Sequence, residues 1–118
     1  MPRLSTHVLD TARGRPAAGV ALVLSHLSDG RHRTVVNRAT TNVDGRTDAP
    51  LLGGDALPTG LYEIAFHVGD YFRASGVTLP EPAFLDVVPI RFGIADPQGH
   101  YHVPLLVSPW SFSTYRGS

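Results

Sequence analysis

Short runs of alternating apolar and polar residues, broken repeatedly by Gly, Pro, Asn and Asp, fill this chain from end to end. Side chains two apart on a strand share a face, so this rhythm predicts an all-β sandwich or barrel. Leu4 to Asp10 reads as a first strand, ended by Arg13-Gly14-Arg15-Pro16. Val20 to Leu27 is a second, with Leu22 and Leu24 on one face and Val23 and Leu27 on the other. Arg33 to Thr41 is a third, more polar strand. Asn42-Val43-Asp44-Gly45 is a strong turn, because Gly accepts positive φ and Asp can bond its own backbone. Pro50, Gly53-Gly54 and Pro58 make 47–58 a loop holding at most a very short strand. Leu61 to Val68 alternates Tyr62, Ile64, Phe66 and Val68 against Glu63 and His67, the signature of a half-buried strand. Asp70 to Ser75 reads as one short helix, with Asp70 as its cap and Gly76 ending it. Phe84 to Ile94, strongest from Val87 onward, His102 to Ser108 and Ser111 to Thr114 complete the strands. Pro109 marks a turn or a sheet edge between the last two.

Composition narrows the possibilities. A length of 118 residues fits a single domain over 1–118. With 42% hydrophobic and 17% charged residues, the chain has ordinary globular composition, which argues against wholesale disorder. Ten basic and ten acidic residues cancel, so no positive excess is available for phosphates and nucleic acid is not an expected partner. Cysteine is absent, which rules out disulfides, thiolate nucleophiles and thiolate metal sites. No apolar run approaches the roughly 20 residues needed to span a bilayer, and no basic start with an apolar stretch precedes Leu4. The expectation is therefore a cytoplasmic protein without a membrane partner.

Several chemistries lack their motifs. Gly53-Gly54 has no following Lys-Ser/Thr for phosphate binding, and no G-x-S-x-G nucleophile elbow occurs. His100 and His102 lie two apart in a strand-like run and share a face, a spacing open to a zinc ion but short of ligands. The same spacing fits one site histidine beside one solvated histidine. His7 interrupts an apolar-alternating strand, either as a core or interface residue with a satisfied hydrogen bond or as a proton-trading group. Arg46, just after a turn, is either a solvated charge or a planar fork for a carbonyl-rich or anionic ligand. Tyr115-Arg116-Gly117-Ser118 brings a phenol, a guanidinium and a hydroxyl together on a strand end, where frayed residues are the rule. Gly117 is a poor strand residue and makes sense where another group approaches the backbone closely.

Together these segments resemble one family. Leu4-Ser5-Thr6-His7-Val8-Leu9-Asp10-Thr11 with Gly14 and Pro16, Val43-Asp44-Gly45-Arg46, and Phe84-Leu85-Asp86-Val87-Val88-Pro89-Ile90-Arg91-Phe92 are similar to the transthyretin-related 5-hydroxyisourate hydrolases. So is His100-Tyr101-His102-Val103-Pro104-Leu105-Leu106-Val107-Ser108-Pro109, followed by Ser113-Thr114-Tyr115-Arg116-Gly117-Ser118. The match runs through the whole chain in order. One departure is Trp110-Ser111-Phe112, where a Tyr-Gly-Tyr run is common in the family.

The resemblance implies a transthyretin-like, eight-stranded β-sandwich with one short helix. It also implies a homotetramer, a dimer of dimers with active sites in the channel between the dimers. The activity it implies is hydrolysis of 5-hydroxyisourate to 2-oxo-4-hydroxy-4-carboxy-5-ureidoimidazoline in urate breakdown, with neither a metal nor an organic cofactor. The family's catalytic positions fall on His7, Arg46 and His102, and substrate binding on His7, Arg46, Tyr115 and Ser118. Either His7 or His102 can serve as the base. Two other readings remain open: a transthyretin-like carrier of a small ligand, and a zinc hydrolase built on His100 and His102.

Overall fold

The structure, a computed structural model, describes residues 1–117. Among these, the elements run β1 (Arg3–Asp10), β2 (Arg15–Pro16), β3 (Ala21–Ser28), β4 (His32–Thr40), β5 (Gly60–His67), α1 (Val68–Ala74), β6 (Val87–Ile94), β7 (His100–Val107) and β8 (Phe112–Thr114). Two four-stranded sheets form, in the orders β2-β1-β7-β8 and β4-β3-β5-β6. The expected sandwich with one short helix is what the chain adopts.

Alternation in the sequence becomes two-sidedness in the sheets. Leu4 and Val8 of β1, Leu22 and Leu24 of β3, Ile64 and Phe66 of β5 and Leu105 of β7 are sealed between the layers. Truncating one of the larger of these, such as Phe66, leaves a cavity costing about 3–5 kcal/mol. Thr6 faces the same interior, and its hydroxyl donates to the Val103 carbonyl at 2.7 Å, so this buried polar group is satisfied.

The pairing that matters most joins β1 to β7 in parallel, across nearly the whole length of the chain. Its register sets Arg3 beside His100, Ser5 beside His102 and His7 beside Pro104. Directly paired residues point to the same side, so the outward positions Arg3, Ser5, His7, His100 and His102 share one polar face. On the outward face of the other sheet, Glu63 is only 4% exposed. It is held there by Arg33 of β4 at 3.1 Å and Arg91 of β6 at 3.3 Å.

Several local details differ from the pattern-based expectation. Arg15–Pro16, read as part of a turn, folds back as a two-residue strand against Leu9 and Asp10. Buried Asp10 organises that bend, accepting hydrogen bonds from the Tyr71 hydroxyl at 2.8 Å and the Arg13 amide at 3.0 Å. The helix begins at Val68, not Asp70, and no side-chain hydrogen bond caps it. Asp70 instead lies in its first turn, where a carboxylate favours the positive end of the helix dipole. Phe84 to Asp86 stay outside β6, which begins at Val87. The loop 47–58 contributes one bridge, Leu52 to Leu4. Among the described residues, no helix is long and apolar enough to cross a membrane.

Candidate functional site

The site grows out of the outward face of β1 and β7. Strand alternation that buries Leu4, Thr6 and Val8 necessarily turns Ser5 and His7 outward. Arg46 reaches the same face through its turn. The Asn42 carboxamide oxygen accepts from the amides of Asp44 at 2.9 Å and Arg46 at 3.2 Å, so Asn42 rather than Asp44 is the residue that closes this turn. Gly45 adopts φ +74°, and a Cβ there would lie 2.4 Å from the Val8 carbonyl oxygen. The Val8 amide donates to the Gly45 carbonyl at 2.8 Å. That close approach, open only to glycine, docks the turn on β1 and bridges Arg46 to His7.

His102 is fixed on three sides. Its Nδ1 lies 2.8 Å from the Ser5 hydroxyl across the parallel pair. Its carbonyl accepts from the Gly117 amide at 2.8 Å. A Cβ on Gly117 would stand 2.5 Å from Cδ2 of its ring. The close neighbour that a glycine in this tail called for is therefore the His102 imidazole.

His7, Arg46, His102 and Tyr115 line a single open cleft of about 430 Å³, together with Arg3, Ser5 and His100. Arg116 turns elsewhere: its guanidinium stacks 4.3 Å from the Tyr101 ring centroid and donates to the His100 carbonyl at 3.3 Å. Ser118, the remaining substrate-binding expectation, lies outside the described residues. Among the described residues, no third His, Cys, Asp or Glu joins His100 and His102 in a metal-binding group.

Among the described residues, the cleft lining holds two arginines and no carboxylate. Burial, and then the Arg46 charge, hold His7 below its ordinary pKa, with the backbone and charge of Asp44 pulling partly back. Burial, then Arg46, His7 and Arg3, push His102 down in the same way. Both imidazoles are thereby biased toward the neutral form, which can accept a proton at pH 7. The two arginines give the cleft fixed positive charge that can stabilise negative charge on an oxygen atom.

Sequence reading passed over Ser5 and Arg3. The signal was available for Ser5, which lies two positions before His7 on the same strand face, but its partner His102 lies 97 residues away. Arg3 gave no signal beyond being a charged residue near the start of a strand.

A transthyretin-like sandwich carrying three imidazoles and two guanidiniums in one cleft is a protein of that fold with a polar, basic site on one sheet face. The sequence profile of the HIUase/Transthyretin family matches residues 4–117, and the chain belongs to that family. It is 60% identical over 118 residues to a 5-hydroxyisourate hydrolase of Ralstonia nicotianae, covering 100% of both chains. Among solved structures, it resembles (S)-allantoin synthase with a TM-score of 0.91 and 49% identity, covering 99% of this chain but 44% of that one. It also resembles sea bream transthyretin in complex with thyroxine, with a TM-score of 0.84 and 30% identity over 98% of this chain and 94% of that one.

Proposed function

We propose that this protein hydrolyses 5-hydroxyisourate to 2-oxo-4-hydroxy-4-carboxy-5-ureidoimidazoline in urate catabolism, using its own side chains and no metal. The observation that carries the reading is the shared cleft of His7, Arg46 and His102, in which Arg46 helps keep both histidines neutral. One neutral imidazole takes a proton from water as the oxygen adds to the ring carbonyl. Negative charge on the carbonyl oxygen develops beside the Arg46 guanidinium. The carbon–nitrogen bond then breaks, the leaving nitrogen receives the proton that the first imidazole took from water, the second imidazole orients that water, and the carbonyl carbon ends as a carboxylic acid that ionises to carboxylate. Tyr115, and Ser118 beyond the described residues, bind the polar edge of the ring. Acid–base help of this kind supplies about 100- to 10,000-fold, sufficient for a substrate that opens slowly by itself.

The working form in this reading is a cytoplasmic homotetramer, a dimer of dimers. An open cleft on a sheet face excludes little water, and a facing subunit closes it. A monomeric variant is expected to lose turnover, and full activity in a monomer would overturn this part. The carrier reading draws on the likeness to thyroxine-bound transthyretin. A carrier needs no pair of proton-trading imidazoles, which is why the hydrolase reading stands first.

The deciding experiment follows freshly generated 5-hydroxyisourate by ultraviolet absorbance, with and without the protein, with His102→Asn, and with a chelator. Fast decay that survives chelation and collapses in the variant supports the metal-free hydrolase. Loss on chelation would move the reading to a zinc enzyme on His100 and His102. Decay at the spontaneous rate would overturn the hydrolase and favour the carrier.

A further inference from the structure

We propose that Ser5 is a positioning residue for His102: its hydroxyl accepts the Nδ1 proton and so leaves the Nε2 lone pair facing the cleft as the general base. The inference rests on the hydrolase reading for the word base, but its geometric content stands apart from it. Ser5 and His102 are direct partners in the parallel β1–β7 register, so the backbone itself sets the distance between them. The Oγ to Nδ1 separation is 2.8 Å, and no other side-chain partner of Ser5 occurs among the described residues. On the opposite edge of the ring, Gly117 closes against Cδ2. With Nδ1 tied and Cδ2 covered, the ring cannot flip without losing its hydrogen bond and colliding with the tail, and Nε2 is the nitrogen left for ligand.

The hydrogen bond at one imidazole nitrogen selects which nitrogen carries the proton. A hydroxyl can donate or accept, whereas among the described residues the other polar side chains lining the cleft with Ser5 and His102 include Arg3, Arg46, His7, His100 and Tyr115. Among these the guanidiniums only donate. A donor-rich cleft favours a lone pair at Nε2, which in turn leaves the proton on Nδ1 for Ser5. This separates the two histidines by role: His102 takes the water proton and passes it to the leaving nitrogen, and His7, bridged to Arg46, orients the water.

The test combines kinetics with imidazole nitrogen NMR on the full chain. Ser5→Ala is expected to lower kcat roughly tenfold or more with little change in KM, as small misplacements of a reacting group do. Ser5→Thr keeps the hydroxyl and is expected to restore most of the rate. In a His102→Asn background, Ser5→Ala should cost nothing further, because the two residues act as one unit. The nitrogen shifts of His102 should show a protonated Nδ1 in the wild type and a mixture of tautomers in Ser5→Ala. The same fold-loss from Ser5→Ala in both backgrounds would make Ser5 merely structural and overturn the proposal. So would a wild-type His102 protonated on Nε2. If the wild type fails to accelerate substrate decay, the hydrolase reading falls, while the nitrogen shifts still decide whether Ser5 sets the His102 tautomer.

Discussion

Gly117 and His102 are in such close register that no side chain fits between them: a Cβ on Gly117 would come within 2.5 Å of Cδ2 and 3.2 Å of Cγ of the imidazole. The tail is thus part of the mould that holds this ring. Gly117→Ala must displace either the tail or the ring. Activity is expected to fall roughly tenfold or more through misplacement of the imidazole. The tail is peripheral to the core, so thermal stability should change by less than about 1 kcal/mol. Parallel measurement of substrate decay and melting temperature separates the two effects, and an Ala variant with wild-type rate would show that the ring tolerates the shift.

Gly45→Ala makes a contrasting case. The obstruction there is the backbone carbonyl of Val8, and the residue sits at φ +74°. Backbone strain of this kind costs about 1–3 kcal/mol. Because the same turn carries Arg46, the variant is expected to lose both stability and rate. A variant that loses neither would mean that the turn can leave β1 without moving the guanidinium.

In the proposed reaction Arg46 acts on substrate charge as well as on the two histidines. Arg46→Ala is expected to lower kcat by about 100- to 1,000-fold, the usual range for removing one donor to a developing oxyanion. Arg46→Lys should recover only part, since an ammonium lacks the planar fork. The charge also depresses both imidazoles. Its removal should therefore move the acidic limb of the pH–rate profile to higher pH. A limb that stays in place would show that the titrating base is neither histidine.

Stability should follow the same groups. His7 and His102 have folded pKa values below their ordinary value of 6.5, so the unfolded chain binds protons more readily than the fold does. Their neutral forms leave stability undiminished above about pH 6.5, and it declines as pH falls through the depressed folded values. Melting temperature should drop below pH 6.5, less steeply in His7→Gln or His102→Asn. Identical pH profiles for the variants and the wild type would place the acid sensitivity elsewhere.

Glu63 offers a control on the far face of the sandwich. Its side chain is 5% exposed, and both arginines that hold it are more than half exposed. Solvent screening weakens the ion pairs on the arginine side, while the buried carboxylate still depends on their donors. Glu63→Gln is expected to cost about 1–2 kcal/mol of stability. Specific activity of the folded fraction should remain at the wild-type level, and a kinetic defect would reveal coupling between the two sheets.

The sequence by itself determined the strands and the sides of them that enter the core. Tyr62, Ile64 and Phe66 alternate with the smaller or polar Glu63, Ala65 and His67, and a period of two then leaves one face to be buried. It also put forward His7, Arg46, His102 and Tyr115, each left open by its own pattern and chosen through the resemblance of its segment to the hydrolase family. What it could not encode locally were relations between distant segments. Ser5 became part of the site only when β1 paired in parallel with β7, since that register alone puts its hydroxyl against Nδ1 of His102. Glu63, polar by pattern, is buried because Arg33 and Arg91 arrive from flanking strands. The helix start at Val68 went unread because its position is set by chain geometry rather than by a capping side chain. Local alternation is a property of neighbours in sequence, and so it is written in the sequence. Which side chains meet across a sheet depends on register and topology, fixed by the packing of the whole core, and only the tertiary structure decided that.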